Sequence, residues 1–400
     1  MYAQRVLSGM RPTGNLHLGH YHGVLKNWIS LQAEYECLFF VADWHALTTH
    51  YDNPSIISDS VWNMVIDWIA AGVDPAQSTL FIQSRDPEHA ELHLLLSMCT
   101  PLGWLERVPS FKDQQEKIHD KDLSTYGFLG YPLLQAADIL IYRADQIPVG
   151  DDQVPHVELT REIARRFNFL FGGEADFEKK ALEASKKLGG KRSRLILELR
   201  QKFQEQGDEI SLERAKAILQ DSQNLTMDDR ERLFGYLEGV RRLILVEPQP
   251  LLTLASRFTG LDGQKMSKSY GNTIGMREEP DKVVVKLKKM PTDPARVRRS
   301  DPGSPENCPV WSLHKIYSNN DLLSWVKDGC KTASIGCVEC KKPLIDSIVS
   351  EQKVFRERAK PYEEDIGIVK NIIADGCERA RDLAKQTMRD VREAMDIDYT

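Results

Sequence analysis

Two short strings in this chain carry side chains suited to holding a polyphosphate. His17-Leu18-Gly19-His20 lies near the N-terminus and Lys265-Met266-Ser267-Lys268-Ser269 lies late, Lys265 coming 245 positions after His20. His17 and His20 are three apart, so in the first turn of a helix they share a face and both offer ring N–H groups to phosphate oxygens. A helix N-terminus adds free backbone N–H groups and partial positive charge. Gly19 removes a side chain where a base or sugar could lie against the backbone. The late string puts Lys265 and Lys268 on a Gly- and Ser-rich stretch, as mobile cations able to close over developing phosphate charge. Alone, the first string also reads as a packed helix cap and the second as an exposed basic turn; their order along one chain favours a shared phosphate site.

The cysteines form a second constellation. Of seven, Cys37, Cys99 and Cys377 stand alone in strand- or helix-like surroundings and read as small buried apolar residues. Cys308, Cys330, Cys337 and Cys340 cluster with spacing C-x21-C-x6-C-x2-C. Four thiolates so spaced suit a zinc site or an iron–sulfur cluster, and free thiols are the remaining reading. Lys331, Lys341 and Lys342 flank them, and Lys282, Lys286, Lys288 and Lys289 with Arg296, Arg298 and Arg299 precede them. These are either a phosphate-contacting patch or a solvated helix face.

These residues need a scaffold, and the first third of the chain supplies alternating strands and helices. Arg5–Gly9 reads as a strand, about 18–32 as a helix, and Cys37–Val41 as a strand covered on both faces. A helix over 55–71 ends at Gly72, and Thr79–Gln83 is the next strand. Ile139–Tyr142 and Ile147–Val149 are later strand candidates, with a helix over 155–169. This β-α order predicts an α/β fold with a Rossmann-like doubly wound parallel sheet, whose ligands sit at the carboxyl ends of the strands. From 172 to 246 the composition turns to Lys, Arg, Glu and Gln, broken by Gly189-Gly190 and Gly207, with Leu195, Ile196, Leu199 and Phe203 at helical spacing. It reads as a helical insertion. From about 280 onward the pattern is mostly helical.

The chain has 400 residues, 41% hydrophobic and 28% charged, with net charge −6, as in ordinary globular proteins of two or three domains. No apolar run approaches the roughly 18–20 residues of a membrane span, and the first residues lack a signal-peptide core. A cytoplasmic protein without membrane contact is expected.

The two strings in series resemble the paired ATP-binding motifs of class I aminoacyl-tRNA synthetases. Further strings narrow this: Ser8-Gly9-Met10-Arg11-Pro12-Thr13-Gly14, Val41-Ala42-Asp43-Trp44-His45-Ala46-Leu47-Thr48, Tyr131-Pro132 with Ala136-Ala137-Asp138-Ile139-Leu140, and Pro148-Val149-Gly150-Asp151-Asp152-Gln153. Together they are similar to the tryptophanyl-tRNA synthetases over roughly 1–171 and 247–400. The resemblance implies ATP-dependent activation of tryptophan to its adenylate and transfer to tRNA(Trp), with ATP and Mg²⁺ and a homodimeric assembly. It assigns His17, His20, Lys265 and Lys268 to catalysis. It assigns Arg11, Pro12, Thr13, Gly19, Gly150, Asp151, Asp152, Phe258, Met266, Ser267 and Ser269 to ATP. Asp138 would accept the indole N–H, with Tyr131 and Gln153 binding the amino acid. A buried acceptor facing a donor-only ring nitrogen rejects isosteres lacking the N–H. A subset of that family carries a [4Fe–4S] cluster on a closely similar cysteine spacing, with zinc the alternative here. The implied division is 1–171 and 247–279 for the catalytic domain, 172–246 for the insertion and 280–400 for a tRNA anticodon-binding domain. The rival reading is a tyrosyl-tRNA synthetase, since Tyr131-x3-Gln135-x2-Asp138 also resembles its tyrosine-binding pattern. A non-catalytic RNA-binding relative is the third.

Overall fold

The computed structural model describes residues 4–108, 125–150, 153–173, 176–239, 243–252 and 258–399. Five strands form one sheet: β1 (Arg5–Met10), β2 (Glu36–Val41), β3 (Ser78–Ile82), β4 (Gln146–Val149) and β5 (Gln249–Leu252). They are parallel, in the order β3-β2-β1-β4-β5. β1 and β2 pair from Arg5↔Glu36 to Met10↔Val41. The apolar runs of β2 and β3 are buried on both faces, as parallel strands under helices require. Strand order reverses where β4 follows β1 at the sheet's centre. The crevice at their carboxyl ends is the topological switch point, where such sheets bind ligands.

The helix after β1 starts as Leu18–His20, widens into a π-helical stretch Tyr21–Leu25 and continues as Lys26–Leu31. Such widenings often mark functional positions, and here His20, Gly23, Val24 and Asn27 turn one face toward the crevice. Trp28 pins this helix to the sheet by stacking on Phe39 at 4.1 Å between ring centroids, with Trp68 edge-on at 5.2 Å.

One expected strand is absent. Ile139–Tyr142 is the end of a helix, Tyr126–Ile141, capped at Thr125. Because most of this helix is buried, its apolar residues run nearly all round it, and a short apolar stretch then carries no period that separates helix from strand. The span after 172 folds as four helices, Phe177–Lys186, Gly190–Gln206, Glu209–Gln220 and Met227–Glu238. Asp208 and Thr226 cap the last two, and Gly207 ends the second with left-handed backbone. These helices bury their own core, including Leu188, Ile196, Leu199, Leu219 and Leu233, separate from the main one.

After β5 the chain closes with Pro280–Lys289, Pro309–Tyr317, Asn320–Lys331 and the long helices Cys337–Glu364 and Ile366–Ala394. The first long helix packs on Ser55–Ala71 and the second across β3, so the C-terminal helices share the main core. Among the described residues no helix is long and apolar enough to cross a membrane. The second long helix approaches β3 so closely that a Cβ on Gly376 would lie 1.9 Å from the carbonyl oxygen of Leu80. Gly376→Ala should therefore cost about 2 kcal/mol or more in urea unfolding. Gly103→Ala, where the added methyl meets nothing within 4 Å, should be neutral or stabilising by up to about 1 kcal/mol. Equal midpoints for the two variants would refute this account of the docking.

Candidate active site

A cavity of about 480 Å³ opens at the switch point. Ser8, Gly9 and Met10 of β1 form one wall, Pro148 and Val149 of β4 another, and His20 the entrance side of the first helix. Arg11, Tyr131, Asp138, Gly150 and Gln153 also line it, so six of the expected site residues meet in one space. Asp151 and Asp152 lie outside the described residues.

The two phosphate-type motifs touch each other beside this cavity. Residues 16–18 and 274–276 pair as short extended segments, with Leu18 N–H donating to the Ile274 carbonyl at 2.9 Å and Met276 N–H to that of Leu16 at 3.0 Å. A Cβ on Gly19 would lie 2.9 Å from the His17 ring and 3.5 Å from Met266 Cβ, so glycine permits the close approach of the motifs. Burial, and the nearby Lys268 cation, lower the His17 pKa to about 4. His20 is pushed down by burial, then by His17 and Lys268. Both imidazoles are neutral near pH 7. Because His20 Nδ1 accepts from the backbone N–H of His17 at 3.2 Å, its proton sits on Nε2, available to the cavity.

Lys268 donates to the carbonyls of Gly14 at 2.7 Å and Thr13 at 3.2 Å. Burial lowers its pKa to about 8, against the attraction of Asp67 and with a further push from Arg11. Lys265 and Ser269 are exposed, Pro12 is buried, and Ser267 N–H donates to Asn272 Oδ1 at 2.8 Å. Phe258 is not among the residues that line the cavity: it is buried, stacked on His22 at 4.9 Å, and its carbonyl accepts from Met266 N–H.

Sequence reasoning missed the support of this loop. Ser60 Oγ accepts from Gly14 N–H at 2.8 Å, and Asp67 accepts from Leu16 N–H at 3.3 Å and Arg277 Nε at 2.6 Å. Arg277 also pairs with Glu363. Asp67 is 2% exposed on the apolar Ser55–Ala71 helix, and a lone acid in such a run is the signal that would have found it.

At the cavity floor Asp138 is 1% exposed and ionised. Burial alone would raise its pKa, but His45 and His89 hold it down at about 2. His45 Nε2 reaches Oδ2 at 2.7 Å, His89 Nδ1 reaches Oδ1 at 2.6 Å, and Gln83 Nε2 donates to both oxygens at 2.8 and 3.0 Å. His45 stands in the string 41–48, and Gln83, at the end of the expected strand 79–83, lies in the turn after β3; His89 sits in no pattern legible beforehand.

Cys308, Cys330, Cys337 and Cys340 come from three helix ends to line one cavity of about 20 Å³, with Arg296 and Asp293 beside them. A metal centre finds no support in this arrangement: among the described residues no three His, Cys, Asp or Glu side chains are disposed to hold an ion. Burial, then the three neighbouring thiols, push the Cys340 thiol up to about 12. Of the basic residues, Lys341 is unavailable to a ligand, since its ammonium is buried on the carbonyls of Lys288 and Met290. Lys288, Arg298, Arg299 and Lys342 line a shared groove.

A parallel sheet with His20 and an ionised Asp138 on one switch-point cavity, and the Lys268 loop against it, defines a class I synthetase catalytic domain. The family description "tRNA synthetases class I (W and Y)" matches residues 3–183 and 230–351. The chain is 68% identical to a tryptophan–tRNA ligase of Ralstonia nicotianae over the full length of both, and 42% identical to that of Thermotoga maritima over 98% of this chain and 99% of the relative. A tryptophanyl-tRNA synthetase from Campylobacter jejuni, solved with ADP and tryptophan, superposes with TM-score 0.72 at 25% identity, covering 98% of this chain and all of that one. A tyrosyl-tRNA synthetase from Archaeoglobus fulgidus, at 19% identity and TM-score 0.53, shares the fold. The chain belongs to the class I tRNA synthetases of the tryptophan and tyrosine group, within the tryptophan–tRNA ligase family.

The Asp67–Arg277 pair ties the motif loop to the return segment in a buried setting. Asp67→Ala removes the acceptor of Leu16 N–H and one of the two acid partners of Arg277, so it should cost about 2 kcal/mol in urea denaturation. A loss below about 1 kcal/mol would show that the loop is held by other contacts.

Proposed function

We infer that the chain couples ATP cleavage to tryptophan activation and then charges tRNA(Trp). The observation that carries this reading is one cavity shared by His20 and the ionised Asp138, with Lys268 at its phosphate side. In the first step the tryptophan carboxylate attacks the α-phosphate of ATP. The P–O bond to pyrophosphate breaks and tryptophanyl-adenylate forms. In the second step the terminal hydroxyl of tRNA attacks the adenylate carbonyl and AMP leaves. Mg²⁺ enters with ATP and supplies charge neutralisation of the triphosphate.

No side-chain nucleophile is needed, so rate comes from positioning and electrostatics. His20 Nε2–H and the His17 ring donate to phosphate oxygens. Lys268 exchanges the Thr13 and Gly14 carbonyls for phosphate oxygens as charge develops, and Lys265, at the exposed start of the same loop, joins it. Arg11, Pro12, Thr13, Gly19 and Gly150 form the nucleotide's bed with Met266, Ser267 and Ser269, and Asp151 and Asp152 follow Gly150 in sequence. Asp138 reads the indole N–H, with Tyr131 and Gln153 on the amino acid. Phe258 is retained on the nucleotide side only by resemblance, because its ring is packed on His22.

The test is ATP–pyrophosphate exchange with each amino acid in turn. Tryptophan alone should support it, and exchange with tyrosine only would overturn the reading. Lys268→Met should lower kcat by about 10²- to 10³-fold. With its pKa lowered to about 8, the Lys268 cation is present below that pH and lost above it, so kcat/KM for ATP should fall above about pH 8. Lys268→Arg should push that fall to higher pH; an unchanged profile would remove Lys268 from the titration.

We further propose a cytoplasmic homodimer whose residues 280–400 contact the tRNA anticodon, with the groove at Lys288, Arg298, Arg299 and Lys342 as the basic surface. For the cysteine cavity the finer proposal is a [4Fe–4S] cluster on Cys308, Cys330, Cys337 and Cys340, with zinc as the alternative. What supports it is that four soft donors from three helix ends line one small cavity; the group would act as a staple between three helices. Anaerobically purified protein should contain about four irons and four sulfides per chain, with a brown thiolate-to-iron band. One zinc per chain without colour would replace the cluster by zinc, and metal-free protein of unchanged melting temperature would dismiss both.

A further inference from the structure

Asp138 does not stand alone at the cavity floor. Behind it, away from the ligand, runs a fully buried chain of short hydrogen bonds. His89 Nδ1 reaches Asp138 Oδ1 at 2.6 Å, His89 Nε2 reaches the Tyr142 hydroxyl at 2.6 Å, and that hydroxyl reaches Asp86 Oδ2 at 2.6 Å. His89 and Asp86 are 0% exposed. Neither His89 nor Gln83 lines the cavity, whereas His45 and Asp138 do. We propose that His89, held by Tyr142 and Asp86, is a positioning residue for amino-acid selection: it fixes the Asp138 carboxylate so that its Oδ2 edge faces the side-chain pocket.

The hydrogen-bond directions follow from elementary chemistry. An ionised carboxylate only accepts, so His89 Nδ1 carries a proton toward Asp138. His89 Nε2 then has two options that use the same number of protons. It donates to the Tyr142 oxygen while Tyr142 donates to an ionised Asp86. Alternatively it accepts from Tyr142 while a protonated Asp86 donates to the hydroxyl oxygen. In both, Asp138 Oδ1 receives an N–H from the same direction. The relay therefore imposes one orientation on the carboxylate whichever form is populated.

The acceptor count shows what remains for a ligand. A carboxylate offers about four acceptor positions. Oδ1 is occupied by His89 and Gln83, and Oδ2 by His45 and the longer contact from Gln83. His45 is half-buried and is the one donor of the three that lines the cavity. An incoming ring N–H thus meets Oδ2, sharing it with His45 or displacing it, and cannot draw the carboxylate round onto Oδ1. Loss of the His89 donor would let the carboxylate turn and make it easier to protonate. A protonated acid no longer discriminates against a ring that lacks an N–H, because it donates as well as accepts.

This inference rests on the tryptophan-activating reading, and the test separates the two. Pyrophosphate exchange would be measured with tryptophan and with β-(benzothiophen-3-yl)alanine, an isostere whose ring sulfur replaces the N–H. Wild-type protein must respond to tryptophan; if it does not, the functional reading fails. Given that response, His89→Leu should raise KM for tryptophan about tenfold and lower the preference for tryptophan over the isostere by a similar factor, with KM for ATP within about twofold. His89→Asn, whose amide can still donate to Asp138, should recover most of the preference. Tyr142→Phe, which removes one hydroxyl from the relay, should lose about threefold of it and decides the matter if His89→Leu does not fold. Unchanged preference in folded His89→Leu, or in Tyr142→Phe where that variant decides, would overturn the proposal. So would equal rises in KM for tryptophan and ATP, which mark a general structural defect.

Discussion

The structure depends on keeping one nearly buried carboxylate charged. Asp138 is 1% exposed, and burial by itself favours its neutral form. Its charge survives because three donors converge on it from separate elements: His45 on the Asp43–His50 helix after β2, Gln83 in the turn after β3, and His89 on the Glu88–Ser97 helix. Satisfying Asp138 therefore locks the carboxyl ends of two strands to the Tyr126–Ile141 helix. The cavity floor inherits a fixed negative charge with a defined acceptor edge. A buried acceptor of this kind rewards a ligand N–H and penalises its absence, which is the asymmetry that selection among similar rings requires.

The phosphate side is built on the opposite plan. Its imidazoles are neutral and its cation is partly desolvated, with Lys268 near pKa 8 and engaged with two carbonyls. Those carbonyls belong to the loop that Ser60 and Asp67 hold, so the ammonium is stationed by the same contacts that shape the motif helix. Neutral carbonyls are weaker partners for an ammonium than phosphate oxygens, and exchanging them strengthens as negative charge accumulates. Arg277 carries the arrangement outward, joining Asp67 to Glu363 on the long Cys337–Glu364 helix. The motif contact is thus continuous with the C-terminal helices.

What could be read beforehand follows from where the signals live. β2 was legible from five apolar residues in a row, and the Ser55–Ala71 helix from its length and Gly72 stop. Ile139–Tyr142 misled because full burial erases the alternation that distinguishes the two periods. His20 and Asp138 could be assigned because each sits in an ordered string, and the fold then brings both to one cavity. Asp67, His89 and Tyr142 could not, since their partners lie 49 to 210 positions away and no local pattern records a hydrogen bond across such a distance. Phe258 was named by resemblance alone, and its ring packs on His22.

The long separation of the motifs also has a mechanical explanation. β4 and β5 are neighbours in the sheet, and within the chain that joins them the four helices from Phe177 to Glu238 have a core of their own. An insertion that buries its own apolar surface adds little strain to its anchor points, so the crevice between β1 and β4 is not distorted by it. It is nevertheless tied to the rest of the chain through buried charge. Arg143, in left-handed backbone at the end of the Tyr126–Ile141 helix, pairs with Glu231 of the insertion and Asp390 of the last helix. The guanidinium is 6% exposed, so losing either acid leaves a buried charge half-compensated. Tyr142, the preceding residue, carries the relay to Asp138. The insertion, the C-terminal helix and the floor of the cavity therefore meet within two consecutive residues, at the end of the helix that carries Asp138.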